Sequence, residues 1–118
     1  MNNLSLSIAI LLNFVGLSTL AQCEADHTII LNNFEFVPSE LTITPGETVA
    51  FVNIEGEHSL NGITNSITDE PYNNPSEIFL EQTTGDVEGV CMGVVSFDTA
   101  GVFNFDCSVG YNAQAGMT

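Results

Sequence analysis

The chain contains no lysine and no arginine among its 118 residues, while it carries fifteen aspartate and glutamate residues. A surface of this kind repels phosphate backbones and anionic lipids, which argues against nucleic-acid binding and against docking of the mature protein to a membrane surface. Without lysine there is no Schiff-base chemistry, and without arginine there is no guanidinium clamp for phosphate or carboxylate. A charged partner protein is therefore expected to present a basic face.

Cysteine and histidine are also few, which limits the possible metal ligands and nucleophiles. The sequence has three cysteines, Cys23, Cys91 and Cys107, and two histidines, His27 and His58. In an oxidising compartment two of three cysteines pair and one stays free, and the count alone does not say which. The identity of the free cysteine therefore decides which chemistry the chain can carry.

The N-terminal segment has the features of a secretory signal peptide. Residues 4–20 are mostly apolar, and small side chains stand at Thr19 and Ala21, where signal peptidase prefers them. The stretch is short and interrupted for a membrane-spanning helix, so a retained anchor is the weaker alternative. We therefore expect residues 1–22 to be a signal peptide, residues 23–118 to be one domain, and the mature protein to be periplasmic or extracellular.

Beyond residue 23, apolar and polar residues alternate as they do in strands with one buried face. Such patterns, separated by turn residues, occur at 28–31, 34–36, 41–44, 49–52, 94–97 and 102–107. They predict an all-β fold, an antiparallel sandwich or barrel, with a type II turn at Pro45-Gly46. Residues 54–88 show no pattern, so we expect a long loop that is functional or carries short structure of its own.

The last strand pattern places a thiol in the protein interior. Phe103, Phe105 and Cys107 share one face of this strand, while Asn104 and Asp106 share the other. Because the aromatic face is the one expected to be buried, the Cys107 thiol is predicted to point inward.

Three side chains with an affinity for copper lie near the ends of the predicted strands. His58 follows the pattern at 49–52, Cys107 ends the last strand, and Met117 lies in the turn after it. If the two strands are neighbours, the imidazole and the thiolate meet at one end of the sandwich, and Met117 folds over them. A soft thiolate, an imidazole and a thioether together favour copper.

Two groups of motifs accompany these ligands. The first is FVPSELTI at residues 36–43, PGETV at 45–49, FVN at 51–53 and then His58; the second is FDTAGVFNFDCS at 97–108 and GM at 116–117. As a set they resemble the cupredoxins, the blue copper family of plastocyanin and azurin, over residues 27–117.

The resemblance implies an eight-stranded Greek-key β-sandwich with a type 1 copper ion, held by two histidines, a cysteine and an axial methionine. On this chain it implies His58 as the first histidine, Cys107 as the thiolate and Met117 as the axial ligand. Asn112 occupies the place of the second histidine in relatives with a long ligand loop. An amide oxygen is a weak donor to copper, so Asn112 predicts weaker Cu(II) binding, a raised reduction potential and a gap that an outside ligand can fill.

Relatives continue past the methionine into a final strand beside the cysteine strand, so we expect a fragment of the sandwich that lacks its last strand. The alternative is a sandwich with an unpaired edge next to the site. Cys23, at the start of the first strand, and Cys91, at the start of the penultimate one, form the more natural disulfide. A disulfide between Cys107 and either of them is the alternative.

The expected function is that of an exported one-electron carrier with copper as its cofactor and a redox partner protein that docks through a basic face. One alternative is Cu(I) sequestration or delivery through His58, Cys107 and Met117, with Asn112 leaving an exchange path open. Another is a cupredoxin-like domain that has lost its metal and serves a structural or binding role. An enzyme is not expected, because Cys107 and His58 lack any motif that would orient them as nucleophile and base.

Overall fold

The computed structural model describes residues 23–118, so the signal peptide predicted at residues 1–22 lies outside the described residues. Within the described part the fold is all-β, as predicted, and contains no helix. Its six strands are β1 (His27–Asn32), β2 (Glu35–Val37), β3 (Thr48–Asn53), β4 (Glu57–Asn61), β5 (Phe79–Thr84) and β6 (Val90–Ser96). Nothing helical in residues 23–118 is therefore long and apolar enough to cross a membrane.

The strands form two sheets. One has four strands in the order β2-β1-β3-β6, and the other pairs β4 with β5. The expectation of a wholly antiparallel fold is wrong at one point, because β1 and β3 run parallel, with Ile29 opposite Phe51. The connection between β1 and β3 consists of β2 and the irregular segment after it. Parallel strands require such a long connection, because the chain must return before the second strand begins.

A single hydrophobic core is built from both sheets and from the loops that follow them. The strand alternation predicted in β1 is present, with Ile29 and Leu31 buried and Thr28 exposed. The buried core members are Ile29, Leu31, Phe36, Val49, Phe51, Leu60, Ile78, Phe97, Cys107 and Met117. Two of them are the sulfur-bearing residues of the predicted copper site, which therefore borders the core.

The turn before β3 has the predicted type II geometry. The amide of Glu47 donates to the carbonyl of Thr44 across 3.0 Å, and Gly46 has φ of +94°. A side chain at that φ would be strained, so glycine suits the third position of the turn.

Two of the predicted strands are absent, at 41–44 and at 102–107. The second makes a single bridge, between Asp106 and Asn61. At Asn104 the neighbour is the side-chain amide of Asn74, which donates to the Asn104 carbonyl and accepts from its amide, both across 2.8 Å. One side chain thus satisfies the backbone groups that a neighbouring strand would otherwise pair with.

The segment 54–88, predicted to be a long loop that is functional or carries short structure of its own, contains β4 and β5. Its sequence lacks the apolar alternation of a strand because four consecutive residues of β4, from His58 to Asn61, are buried. The register of the β4–β5 pair shifts between His58 and Leu60. A strand that is buried on both faces lacks the alternation of apolar and polar residues from which strands are predicted.

A disulfide joins Cys23, ahead of β1, to Cys91 in β6. The two residues are 68 positions apart in sequence. Closing a loop of that length stabilises the folded protein by about 4 kcal/mol, because the crosslink lowers the conformational entropy of the unfolded chain.

Candidate metal centre

His58 is the second residue of β4 and its imidazole is buried. Burial lowers the pKa of His58, and interactions with the backbone of Glu55 and of Asn32 partly offset this effect. The ring is therefore neutral at neutral pH, which is the protonation state that a metal ligand requires. Its Nε2 atom is buried without a well-aligned hydrogen-bond partner among residues 23–118.

Cys107 is a free cysteine with a fully buried side chain. Its Sγ atom lies 3.7 Å from Nδ1 of His58. A metal with a sulfur ligand at about 2.3 Å and a nitrogen ligand at about 2.0 Å, at an angle of about 110–120°, separates these ligand atoms by about 3.5–3.7 Å. The observed spacing also suits a thiol–imidazole hydrogen bond, so the same arrangement serves the protein with and without a metal.

Asn112 completes this group of polar atoms. Its side-chain amide nitrogen lies 3.1 Å from Nδ1 of His58 and 3.4 Å from Sγ of Cys107, and it donates to the carbonyl of Glu57 across 3.1 Å. The NH₂ group has two hydrogens, so one bonds Glu57 and the other serves the imidazole or the sulfur. Asn112 thus lies against both candidate ligands.

Met117 is fully buried and is held beside Cys107 by the backbone. The amide of Cys107 donates to the carbonyl of Met117 across 3.2 Å, and the amide of Met117 donates to the carbonyl of Asn112 across 3.1 Å. Gly116, with φ of +109°, reverses the chain just before Met117. The turn after Cys107 therefore returns the methionine to the cysteine, as the sequence analysis expects.

Ser59 is a contributor that the sequence analysis missed. Its backbone amide donates to Sγ of Cys107 across 3.4 Å. Its hydroxyl lies 2.8 Å from the Ser108 hydroxyl and accepts from the Ser108 amide across 3.1 Å. Hydrogen bonds to a ligating sulfur tune a metal centre, and a serine directly after the histidine is too common a residue to signal that role in sequence.

The candidate donors are the His58 imidazole and the Cys107 sulfur, and the backbone of Met117 is bonded to that of Cys107. Among residues 23–118 there is no cluster of three or more His, Cys, Asp or Glu side chains that could hold a metal. A soft, buried set of this composition suits copper better than the oxygen-preferring cations.

Asp106, directly before Cys107, is the second residue that the sequence analysis missed. It was assigned to the face opposite the thiol, but its side chain is fully buried. It accepts hydrogen bonds from Asn61 Nδ2 (2.8 Å), Ser66 Oγ (2.8 Å), Ser66 N (2.8 Å) and Tyr72 OH (2.7 Å). Burial and the neighbouring Asp106 raise the pKa of Tyr72, so its hydroxyl stays a donor. The network ties the loop after β4 to the segment that positions Cys107.

Comparison with protein-family models, curated proteins and solved structures finds no match for this chain. The functional argument therefore rests on the fold and on the geometry of this centre.

Proposed function

We propose that this protein is an exported, cupredoxin-like copper protein that acts as a one-electron carrier. The proposal includes a Greek-key sandwich and a periplasmic or extracellular location. The all-β fold with two sheets supports the sandwich. The disulfide between Cys23 and Cys91 is typical of oxidising compartments and supports the location.

The observation that carries the proposal is the approach of His58 Nδ1 and Cys107 Sγ to 3.7 Å in a buried position. The thiol is free although a disulfide forms elsewhere in the same chain. Full burial argues against a role for Cys107 as a nucleophile, because a substrate carbonyl would have to reach it. A metal ion needs much less room than a substrate.

The residues of the centre have separate tasks in this function. His58 and Cys107 would hold copper, and Met117 would be a third and weaker ligand. Bound copper would supply the one-electron redox chemistry. The Ser59 amide and the Asn112 amide would hold the sulfur in place through their hydrogen bonds. The chain's acidity supports a redox partner with a basic docking face.

Copper sequestration or delivery as Cu(I) is the second candidate function. It is favoured by Asn112, since an amide is a poorer ligand for Cu(II) than an imidazole and a two-ligand sulfur–nitrogen site suits Cu(I). An electron carrier and a Cu(I) delivery protein would differ in their absorption spectra, because a Cu(II)–thiolate site absorbs strongly in the visible range and a Cu(I) site does not. A domain that has lost its metal would bind neither ion.

Copper addition with matched histidine variants tests the proposal. Cu(II) added to the wild-type protein is expected to give an intense thiolate-to-copper absorption band, which Cys107→Ser and His58→Gln abolish. His27→Gln is the matched control, because His27 pairs with Glu47 on the surface and should leave the band unchanged. Tight Cu(I) binding without colour would favour the second candidate, and no binding of either ion would refute both.

Added imidazole is expected to change the spectrum of the copper-loaded protein. Asn112 offers an amide where a second imidazole would complete the coordination, so a small imidazole can enter as an external ligand. Titration of the absorption band and of the paramagnetic resonance spectrum with imidazole measures this. An unchanged spectrum at saturating imidazole would contradict an open coordination position.

A further inference from the structure

A groove with a volume of 1060 Å³ lies apart from the metal centre. Two irregular segments, 39–45 and 99–105, contribute most of its lining. The rest comes from Ile29, Val49, Phe51, Asn65, Tyr72, Phe97 and Thr118. None of the four candidate copper-site residues lines it. Its volume is at the upper end of the range for small-molecule sites, about 300–1,000 Å³, and its lining mixes apolar and polar side chains.

Both segments that border the groove carry backbone groups without partners. The backbone N–H and C=O groups of residues 41–43 make no hydrogen bond to any residue of the described part of the chain. The same holds for the backbone of Val102, Phe103 and Phe105. Unpaired backbone groups on an extended segment are a template for another strand.

The side chains of residues 102–105 follow the strand period although no strand forms. Phe103 and Phe105 are half-buried and pack on the core, whereas Val102 is 77% exposed. The other segment does not alternate in this way, but it contributes apolar side chains to the groove, since Ile43 packs on the core and Leu41 is 40% exposed. The two segments therefore offer the apolar contacts and the backbone pattern of a sheet from which a strand is missing.

We propose that this groove binds an extended segment of a partner protein, which adds a strand to the free backbone groups of residues 41–43 and of Val102, Phe103 and Phe105. Apolar residues at every second position of the partner segment pack toward the core side of the groove. Its flanking residues are basic, because Glu40 lines the groove and the whole chain has a formal net charge of −15 without a single lysine or arginine. A second copy of this chain would bring the same negative charge, so charge complementarity favours a basic partner over self-association.

Binding of a synthetic strand tests this proposal on the intact mature protein. The probe is the fluorescently labelled peptide KKVTVTVKK, and the readouts are fluorescence anisotropy and hydrogen exchange of the backbone amides. Saturable binding is expected, with slower exchange at residues 41–43 and at Val102, Phe103 and Phe105. EEVTVTVEE should bind at least about tenfold more weakly, since its like charge is repelled. A version of KKVTVTVKK with alternate amides N-methylated should not bind, because it cannot pair with a strand.

Two charge-matched variants localise the binding. Val102→Lys places a positive charge in the groove and should weaken binding of KKVTVTVKK about tenfold or more, whereas Val87→Lys should change it less than about twofold. Val87 is 91% exposed and does not line the groove, so both variants should fold. Equal weakening by both variants, or equal binding of the N-methylated peptide, would overturn the proposal. A dimer in sedimentation that Val102→Lys dissociates would assign the groove to a second copy instead.

Discussion

Replacing Asn112 with histidine is expected to raise the Cu(II) affinity at least about hundredfold and to deepen the blue absorption. The Asn112 amide already lies 3.1 Å from His58 Nδ1 and 3.4 Å from Cys107 Sγ, so an imidazole there starts within reach of the same ion. It also replaces an amide NH₂ group, which faces the two ligands and is a hydrogen-bond donor, with a nitrogen ligand that copper prefers. Competition with a chelator of known affinity, followed by absorption spectroscopy, measures the change.

Asn104→His is the matched control for this substitution. Asn104 lies in the same segment as Cys107, but its side chain is exposed, and its hydrogen bonds with Asn74 use backbone atoms. A histidine there should leave the affinity of the buried centre unchanged. If both variants bind Cu(II) with the affinity of the wild type, Asn112 does not occupy a ligand position and the assignment of the centre fails.

The thiol and the imidazole of this centre are predictable because each follows from a local pattern. Cys107 continues an aromatic row with period two, so its burial can be read from Phe103 and Phe105 alone. His58 follows a clear strand pattern, which places it near an end of the fold. Their mutual distance is not predictable in this way, because it depends on how β4 and the Cys107 segment come together across 49 positions of sequence.

The differences between the predicted and the observed strands have physical explanations. β4 is buried on both faces, so it lacks alternation, and β5 is largely exposed and polar. The segments 41–44 and 102–107 alternate as strands do, but strands need a neighbouring backbone. In the structure these segments border a groove on one side, and the second is paired mainly through the side chain of Asn74.

The burial of Asp106 could not be predicted from the sequence, for a different reason. In a chain without lysine or arginine, an aspartate on the polar face of a strand is expected to face water. Its burial depends on a loop that folds over it and supplies four donors from Asn61, Ser66 and Tyr72. No local pattern signals such a loop, because its donors are ordinary polar residues at irregular spacing.

Asp106→Ala is expected to lower the free energy of unfolding by about 3–5 kcal/mol. The substitution removes the acceptor of four hydrogen bonds and leaves the donors of Asn61, Ser66 and Tyr72 without that partner in a partly buried site. No cation of the chain neutralises this carboxylate, so the hydrogen bonds alone offset the cost of its burial. Urea unfolding followed by circular dichroism measures the loss.

Asp98→Ala provides the comparison, since Asp98 is exposed and accepts a single hydrogen bond, from the Ser96 hydroxyl. Its free energy of unfolding should stay within about 0.5 kcal/mol of the wild-type value. Because Asp106 precedes Cys107, loss of the network should also increase hydrogen exchange in the loop that carries Ser66 and Tyr72. Equal stability of the two alanine variants would mean that water replaces the Asp106 carboxylate at no cost, and the network would then have no part in holding the Cys107 segment.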